Sequence, residues 1–361
     1  MHRRRFLRPD RLAGAVAPLL APPAGDPPAG PGDYALLRVS RRAMATTFQV
    51  AVPYGTPGGL DAATAALDLI DELEDQLTVY RAESEVSRLN AAAAGRPVPV
   101  EARLFDLLAF CAKLTAETAG AFDPATGSLI KAWGFYRREG RVPAPAERAG
   151  AMARAGMRHV ILDPAARAVK FRRPGLEINL GGVGKGYALD RAAALLRDDW
   201  GIDSALLHGG GSSVVAVGHP PGDPRGWPVA LRHPWDDTRT LGTVRLRDQG
   251  LGTSAATFQY FEYNGRKLGH LLDPRTGWPA AGTASASVVA PTGAEADALS
   301  TAFFVLGAGK AAEYCRPRPG LAAVVLPEAD PGAPAAVGFP PGVYSPPAPR
   351  DPLSGPLFDP D

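Results

Sequence analysis

Ile178-Asn179-Leu180-Gly181-Gly182-Val183-Gly184-Lys185-Gly186-Tyr187-Ala188-Leu189-Asp190 reads as a strand that breaks into a glycine-rich turn and opens a helix. Such a turn presents backbone N–H groups and the positive end of a helix dipole to an anion, and missing β-carbons let a phosphate come close. Lys185 adds a point charge. The pattern is not a Walker A loop, because no Ser or Thr follows Lys185, and the GxGxxG spacing of a dinucleotide turn also fails. Taken alone, the run serves as a tight structural turn as readily as a phosphate cradle.

Working outward, residues 43–52 are β-prone and stop at Pro53, a first strand. Leu60, Ala63, Leu67, Ile70, Leu73 and Leu77 recur at helical spacing with acids opposite, the mark of an amphipathic helix on a core. Leu104, Leu107, Leu108, Cys111 and Leu114 give a second helix, closed by Gly120 as a C-cap glycine. The quoted stretch starts a third just after Gly186, running to about residue 197. Strands are expected at 159–162 and 168–171, as a pair within 204–217 around Gly209-Gly210-Gly211, and at 227–231 and 243–246. A strand at 284–290, a helix over about 294–306 and a strand at 321–326 complete the reading. Strands and helices alternate without a βαβ repeat, so the expected class is α+β: mixed sheets with packed helices in a single compact domain.

Composition sets outer bounds. With 45% hydrophobic and 21% charged residues the 361-residue chain is globular, and nothing approaches the apolar run of a membrane span. Lys plus Arg number 39 against 37 Asp plus Glu, and the bases are scattered beyond the first eleven positions, which excludes a nucleic-acid partner. Cys111 and Cys315 have no metal-ligand spacing and read as buried free thiols. His2-Arg3-Arg4-Arg5-Phe6-Leu7-Arg8, a short apolar stretch and an Ala/Pro/Gly-rich run resemble a twin-arginine export signal with its linker, against a bare basic tail. The expected divisions are an export segment at 1–32, a catalytic domain at 33–328 and a Pro/Gly-rich irregular tail at 329–361.

Two more segments carry chemistry. Gly269-His270-Leu271-Leu272-Asp273-Pro274-Arg275-Thr276-Gly277 gathers a histidine, an aspartate and an arginine on turn-forming sequence. A histidine there can move a proton near neutral pH, although a loop histidine and an Asp-Pro turn also need no catalytic role. In Glu295-Ala296-Asp297-Ala298-Leu299-Ser300-Thr301, Asp297 and Thr301 stand one helical turn apart and can both give oxygen to a hard cation. The alternative is an acid favoured by the helix dipole, with a threonine back-bonded to its own helix.

Around these segments the wording resembles that of the ApbE-type FAD:protein FMN transferases. Met44-Ala45-Thr46, the Tyr80-to-Asn90 segment, Gly120-Ala121-Phe122-Asp123-Pro124, the Asn179 turn, the His270 loop and the Asp297 helix fall in that family's order, over residues 43–326. The resemblance implies an ApbE-like, T-fold-like domain that transfers FMN from FAD to a threonine or serine of an acceptor protein, releasing AMP. The acceptor would carry an Asp-x-x-(Ser/Thr)-Gly-Ala-(Ser/Thr)-like motif. By the same resemblance, Met44, Tyr80, Ala121, Phe122, Asp123, Asn179, Lys185 and Leu272 would bind FAD. Gly182, Asp297 and Thr301 would hold Mg²⁺, and His270 would handle the acceptor's proton. By the bare sequence, Met44, Tyr80 and Phe122 are equally core residues and Asp123 a turn former. Asn179 stands where the family usually has Asp, and Ala45 and Ser254-Ala255-Ala256 depart from a Gly and a Ser-Gly, which matters if positive φ is needed there. An FAD pyrophosphatase and a non-catalytic FAD-binding protein are the competing readings.

Overall fold

Met44 and Ala45 both take positive φ, 49° and 60°, and this divides the expected first strand into a hairpin. The computed structural model describes residues 34–236, 238–255 and 260–347; the export segment at 1–32, Ala256 and the end of the tail lie outside the described residues. In the hairpin, β1 (Leu36–Ala43) pairs with β2 (Thr46–Pro53) through a two-residue turn, Ala43 opposite Thr46. Two central residues at φ > 0 define the turn whose twist suits a hairpin. The pattern missed β1 because its residues are mostly half-exposed, with charges among them.

Six further strands extend this pair: β3 (Ala205–Gly209), β4 (Ser213–Val217), β5 (Gly250–Ala255), β6 (Thr283–Ala290), β7 (Ala322–Pro327) and β8 (Ala335–Val337). They lie side by side in that order, each antiparallel to the next. The helices are α1 (Gly59–Leu77), α2 (Glu85–Ala92), α3 (Ala102–Glu117), α4 (Gly127–Ala132), α5 (Pro145–Arg154), α6 (Gly184–Asp198) and α7 (Gly293–Cys315). One face of the sheet carries α1, α6 and α7 over the main core, which includes Phe48, Leu67, Ile70, Leu189, Val288 and Phe303. The other face packs Val214, Leu251 and Val324 against Trp227 and Val244 of a three-stranded sheet. Each such aliphatic side chain, fully buried, contributes about 1.5–3 kcal/mol. The architecture is α+β as expected.

Two stretches differ from the sequence reading. β8 and a short strand at Tyr344–Ser345, paired with Thr240–Leu246, fall inside the expected tail; runs of three and two residues among Pro and Gly are too short for periodicity to show. Helix α7 continues past residue 306, but Gly307 (φ 77, ψ 174) breaks its geometry there, so the expected boundary is a kink. The place just past the Thr118 cap of α3, where the sequence reading puts a glycine, is held by Ala119 (φ 50°); Gly120 (φ 77°) stands one residue further on, its N–H donating to the Thr115 carbonyl at 2.8 Å. Both cysteines are buried free thiols, and among the described residues no helix is long and apolar enough to cross a membrane.

Helix α7 is seated directly on the backbone of β5. A β-carbon on Gly250 would stand 2.4 Å from the Gly293 nitrogen, and one on Gly252 would stand 2.5 Å from Ala296 and from the Asp297 nitrogen. Helix and strand touch without side chains between them. Buried on both flanks, α7 is apolar almost all round, as a helix enclosed by sheet and neighbouring helices must be.

Candidate functional site

The glycine-rich turn is not preceded by a strand. The Ile178 N–H donates to the Asn90 side-chain oxygen at 2.8 Å and its carbonyl accepts from the Asn90 amide at 2.9 Å, so one side chain takes the place of a neighbouring strand. A ladder partner 88 residues away in the form of one amide leaves no periodic trace. The Asn179 N–H donates to the Pro124 carbonyl at 2.7 Å, and its side-chain oxygen accepts from the Gly181 N–H at 2.9 Å, closing the turn. Helix α6 then opens at Gly184 without a side-chain cap. Gly186 is required sterically, since a β-carbon there would fall 2.0 Å from the Gly293 carbonyl oxygen.

That contact brings two helix N-termini together. Asp190 of α6 accepts the N–H groups of Gly293 and Ala294 at 2.6 and 2.8 Å, capping α7. Burial pushes the Asp190 carboxyl up to about 6 despite these two donors. One turn into α7, Asp297 is 6% exposed. Its two oxygens accept from the Ser213 hydroxyl and from the Gly186 N–H, both at 2.7 Å. Burial raises its carboxyl above the ordinary range, while the Lys185 charge and those two donors pull it back. Thr301 donates to the Asp297 carbonyl at 3.3 Å and lies 3.3 Å from the Ser254 hydroxyl, which is itself 2.8 Å from Ser300. A β-carbon on Gly182 would stand 3.4 Å from the Thr301 hydroxyl and 3.5 Å from the Phe122 ring.

The structure therefore brings Gly182, Asp297, Thr301 and Phe122 to one place, with the Lys185 charge felt at Asp297. Ala121 and Phe122 are buried wall residues. Asp123 uses its carboxylate internally, accepting from Ala125 at 2.8 Å and from Met157 at 3.0 and 3.1 Å, the turn-forming role its Asp-Pro sequence allows. Leu272 packs with Leu129 and Trp133 in a small separate core. Any ligand contact from Ala121 or Leu272 thus has to come from backbone. Met44 sits at the hairpin turn, its N–H donating to Glu74 at 2.6 Å. Tyr80 is no core residue: it is 66% exposed and stacks on Tyr136 with centroids 4.9 Å apart.

His270 is half-buried in the segment that joins the hairpin Tyr260–Tyr263/Arg266–Gly269 to the pair Leu272–Asp273/Trp278–Pro279. Both flanking ribbons are anchored on Trp133, whose indole donates to the Gly277 carbonyl at 2.9 Å and whose ring packs against Phe261 and Trp278. Asp273 and Arg275 pair with each other within the loop, and the Arg275 side chain lies 3.8 Å from where a β-carbon of Gly120 would be. This links the His270 loop to the 120–123 segment, and through Phe122 to Gly182.

Sequence reading overlooked Ser213 and Tyr136, and it quotes Ser254 and Asn90 only inside family wording, with no role for either side chain. Ser213 is a small residue of β4 with no motif of its own, and Ser254 of β5 enters the family wording only through the glycine missing after it. Only their place on strands that face α7 marks them. Tyr136 closes a cleft of about 230 Å³ lined also by Val79, Ser87, Asn90, Lys131 and Glu177, where Lys131 pairs with Glu177 at 2.6 Å.

The donor set suits a hard divalent cation. An ionised carboxylate has about four lone-pair directions; Asp297 spends two on Ser213 and Gly186, and the Thr301 hydroxyl and Gly182 carbonyl add neutral oxygen. Among the described residues no group of three or more His, Cys, Asp or Glu side chains is placed to hold a metal ion. One carboxylate with neutral oxygens matches an ion that completes its shell with water and substrate phosphate, as Mg²⁺ does. The N-terminus of α6 and Lys185 add positive field on the same side.

Comparison with known proteins bears on the family and the fold. The family model described as the ApbE family matches residues 44–325. The FAD:protein FMN transferase of Klebsiella pneumoniae (strain 342) is 31% identical over 322 residues, which cover 87% of this chain and 91% of the relative. Two solved structures share the fold: an ApbE protein from Thermotoga maritima (28% identity, TM-score 0.75, 84% of this chain and 97% of that one) and the apo flavinyl transferase ApbE of Pseudomonas stutzeri (28%, 0.74, 84% and 95%).

Proposed function

The chain belongs to the ApbE family, and on that premise we propose that it is an FAD:protein FMN transferase. An acceptor hydroxyl oxygen bonds to the phosphorus of the FMN half of FAD. The phosphoanhydride bond at that phosphorus breaks, its electron pair leaves with AMP, and the hydroxyl proton passes to a base. The acceptor is a protein threonine or serine within an Asp-x-x-(Ser/Thr)-Gly-Ala-(Ser/Thr)-like motif. The observation that carries this reading is the meeting of the α6 glycine turn with Asp297 and Thr301 of α7, which joins an anion-attracting helix start to hard oxygen donors.

The residues divide the work. The Gly181-to-Gly186 turn and Lys185 attract the pyrophosphate, and Asn179 holds the turn closed. Asp297, Thr301 and the Gly182 carbonyl would hold Mg²⁺, which would supply positive charge to the phosphate oxygens. Tyr80 offers an exposed aromatic face to a flat ring. Met44, Phe122 and the backbone of Ala121, Asp123 and Leu272 complete the FAD wall. His270, on a loop braced from both sides by Trp133, takes the acceptor's proton. Export follows from the twin-arginine-like residues 3–7, which support an extracytoplasmic acceptor.

The test incubates the protein with FAD, Mg²⁺ and an acceptor bearing the motif, and follows acceptor mass and AMP. The acceptor gains one FMN per AMP released. His270→Ala slows transfer by at least about 100-fold and keeps FAD affinity, and Asp297→Ala removes the response to Mg²⁺. AMP released over an unmodified acceptor would make the protein an FAD pyrophosphatase, and FAD binding with neither product would refute both enzymatic readings.

A further inference from the structure

Asp297 is the one side-chain carboxylate in the proposed cation site, and its orientation is set by donors from two separate elements. The Gly186 N–H, from the first turn of α6, holds one oxygen at 2.7 Å. The Ser213 hydroxyl, from β4, holds the other at 2.7 Å. Ser213 is 1% exposed, so this bond is shielded from water. Its reach follows from the sheet: Ser213 stands opposite Gly252 in register, and the missing β-carbon of Gly252 is what lets α7 settle onto β5 beside it. A carboxylate gripped at both oxygens cannot rotate, and the lone pairs it has left keep one direction.

We propose that Ser213 is a positioning residue for the cation: its hydroxyl fixes the Asp297 carboxylate in the orientation that receives the metal. The proposal rests on Asp297 being a ligand of the cation. A bland alternative exists, in which Ser213 only satisfies a buried polar group. The two differ in what they predict, because a hydrogen bond that merely satisfies Asp297 affects stability and leaves the cation's affinity in the folded protein unchanged. Partners that orient a metal ligand typically govern affinity by 10–100-fold.

Mn²⁺, which has the same taste for oxygen ligands, serves as the probe. Free Mn²⁺ is followed by electron paramagnetic resonance during titration of the full chain in the presence of FAD, for wild type, Ser213→Cys and Ser213→Ala. FAD affinity without any metal is measured separately by flavin fluorescence, and folding by thermal melts. The expected pattern is Mn²⁺ affinity falling in the order Ser, Cys, Ala, with Ala weaker by about 10–100-fold and metal-free FAD affinity within twofold of wild type. A cysteine of similar size but weak donor strength belongs between them, and it carries the comparison alone if the alanine variant does not fold. Wild-type Mn²⁺ affinity in the folded variants removes the role of Ser213 while leaving the function intact. An equal loss of metal-free FAD affinity marks general distortion and overturns the proposal too. A wild-type protein that holds no Mn²⁺ overturns the metal assignment of Asp297, and Ser213's role with it.

Discussion

Substituting Gly252 by alanine tests whether the sheet sets the height of α7 and hence the geometry around Asp297. A β-carbon at Gly252 would lie 2.5 Å from the Ala296 carbonyl group and the Asp297 nitrogen, where ordinary contact begins at 3.4 Å. Neither neighbour is a flexible side chain, so helix and strand must part by about 1 Å, the difference that overpacking a rigid interior demands. Overpacking of this kind costs about 1–3 kcal/mol. A 1 Å shift along the Ser213–Asp297 direction would stretch the 2.7 Å bond beyond hydrogen-bond range. Gly252→Ala should therefore lower the urea midpoint and, separately, weaken FMN transfer by up to about 100-fold, as misplacements of about 1 Å do. Gly309→Ala provides the contrast: it is on the same helix with nothing within 4 Å of the new carbon, and alanine there should stabilise by up to about 1 kcal/mol. Wild-type stability and wild-type transfer in Gly252→Ala would show that α7 accommodates the methyl freely, and the claim that backbone contact fixes Asp297 would then be lost.

Three other changes address separate features. Ala45 occupies the second φ > 0 position of the β1–β2 turn, at 60°, so Ala45→Gly should stabilise by about 1 kcal/mol; a drop in melting temperature would contradict the assigned turn. Asp190 is pushed up to about 6 by burial, above its unfolded value near 3.8, so the folded state holds the proton more tightly. Stability from this group is complete below about 3.8 and is lost as pH rises through about 6, by up to roughly 3 kcal/mol. Asp190→Asn should remove that decline from urea midpoints measured across the window, and parallel wild-type and variant profiles would rule it out. In Asn179→Asp a carboxylate oxygen can still accept the 2.9 Å bond from Gly181, so stability should stay within about 0.5 kcal/mol. The added charge should make FAD affinity more dependent on Mg²⁺, a point settled by fluorescence titrations with and without the ion.

Much of the fold was legible because burial imposes periodicity. The apolar spacing from Ala63 to Leu77 reports a helix whose inner face meets the main core, although Leu60, at its start, is exposed; the strand at Thr283–Ala290, buried along its whole length, shows as an apolar run instead of an alternation. Legibility ended where backbone groups are satisfied by single side chains. Asn90 replaces a strand beside Ile178, and nothing in the local pattern around either residue says so. The β1–β2 turn was hidden for another reason: Met44 and Ala45 are poor φ > 0 residues, and glycine would have announced it.

The same division explains the site. Family wording flagged Asp123, Asn179 and Asp297 alike, yet their carboxylate and amide groups do different work: Asp123 holds the Met157 segment, Asn179 shuts the glycine turn, and Asp297 keeps two lone-pair directions unspent. A motif therefore marks residues that build the pocket together with those that face its contents. The residues that motif reading passed over, Ser213 and Gly252, stand opposite each other on adjacent strands and act on α7 through one hydroxyl and one missing methyl. Their importance lies in close approach between helix and sheet, a property of three elements far apart in the chain. For that reason a substitution at Gly252 should disturb the proposed cation site more than one at the exposed Arg275, whose ion pair with Asp273 is confined to its own loop.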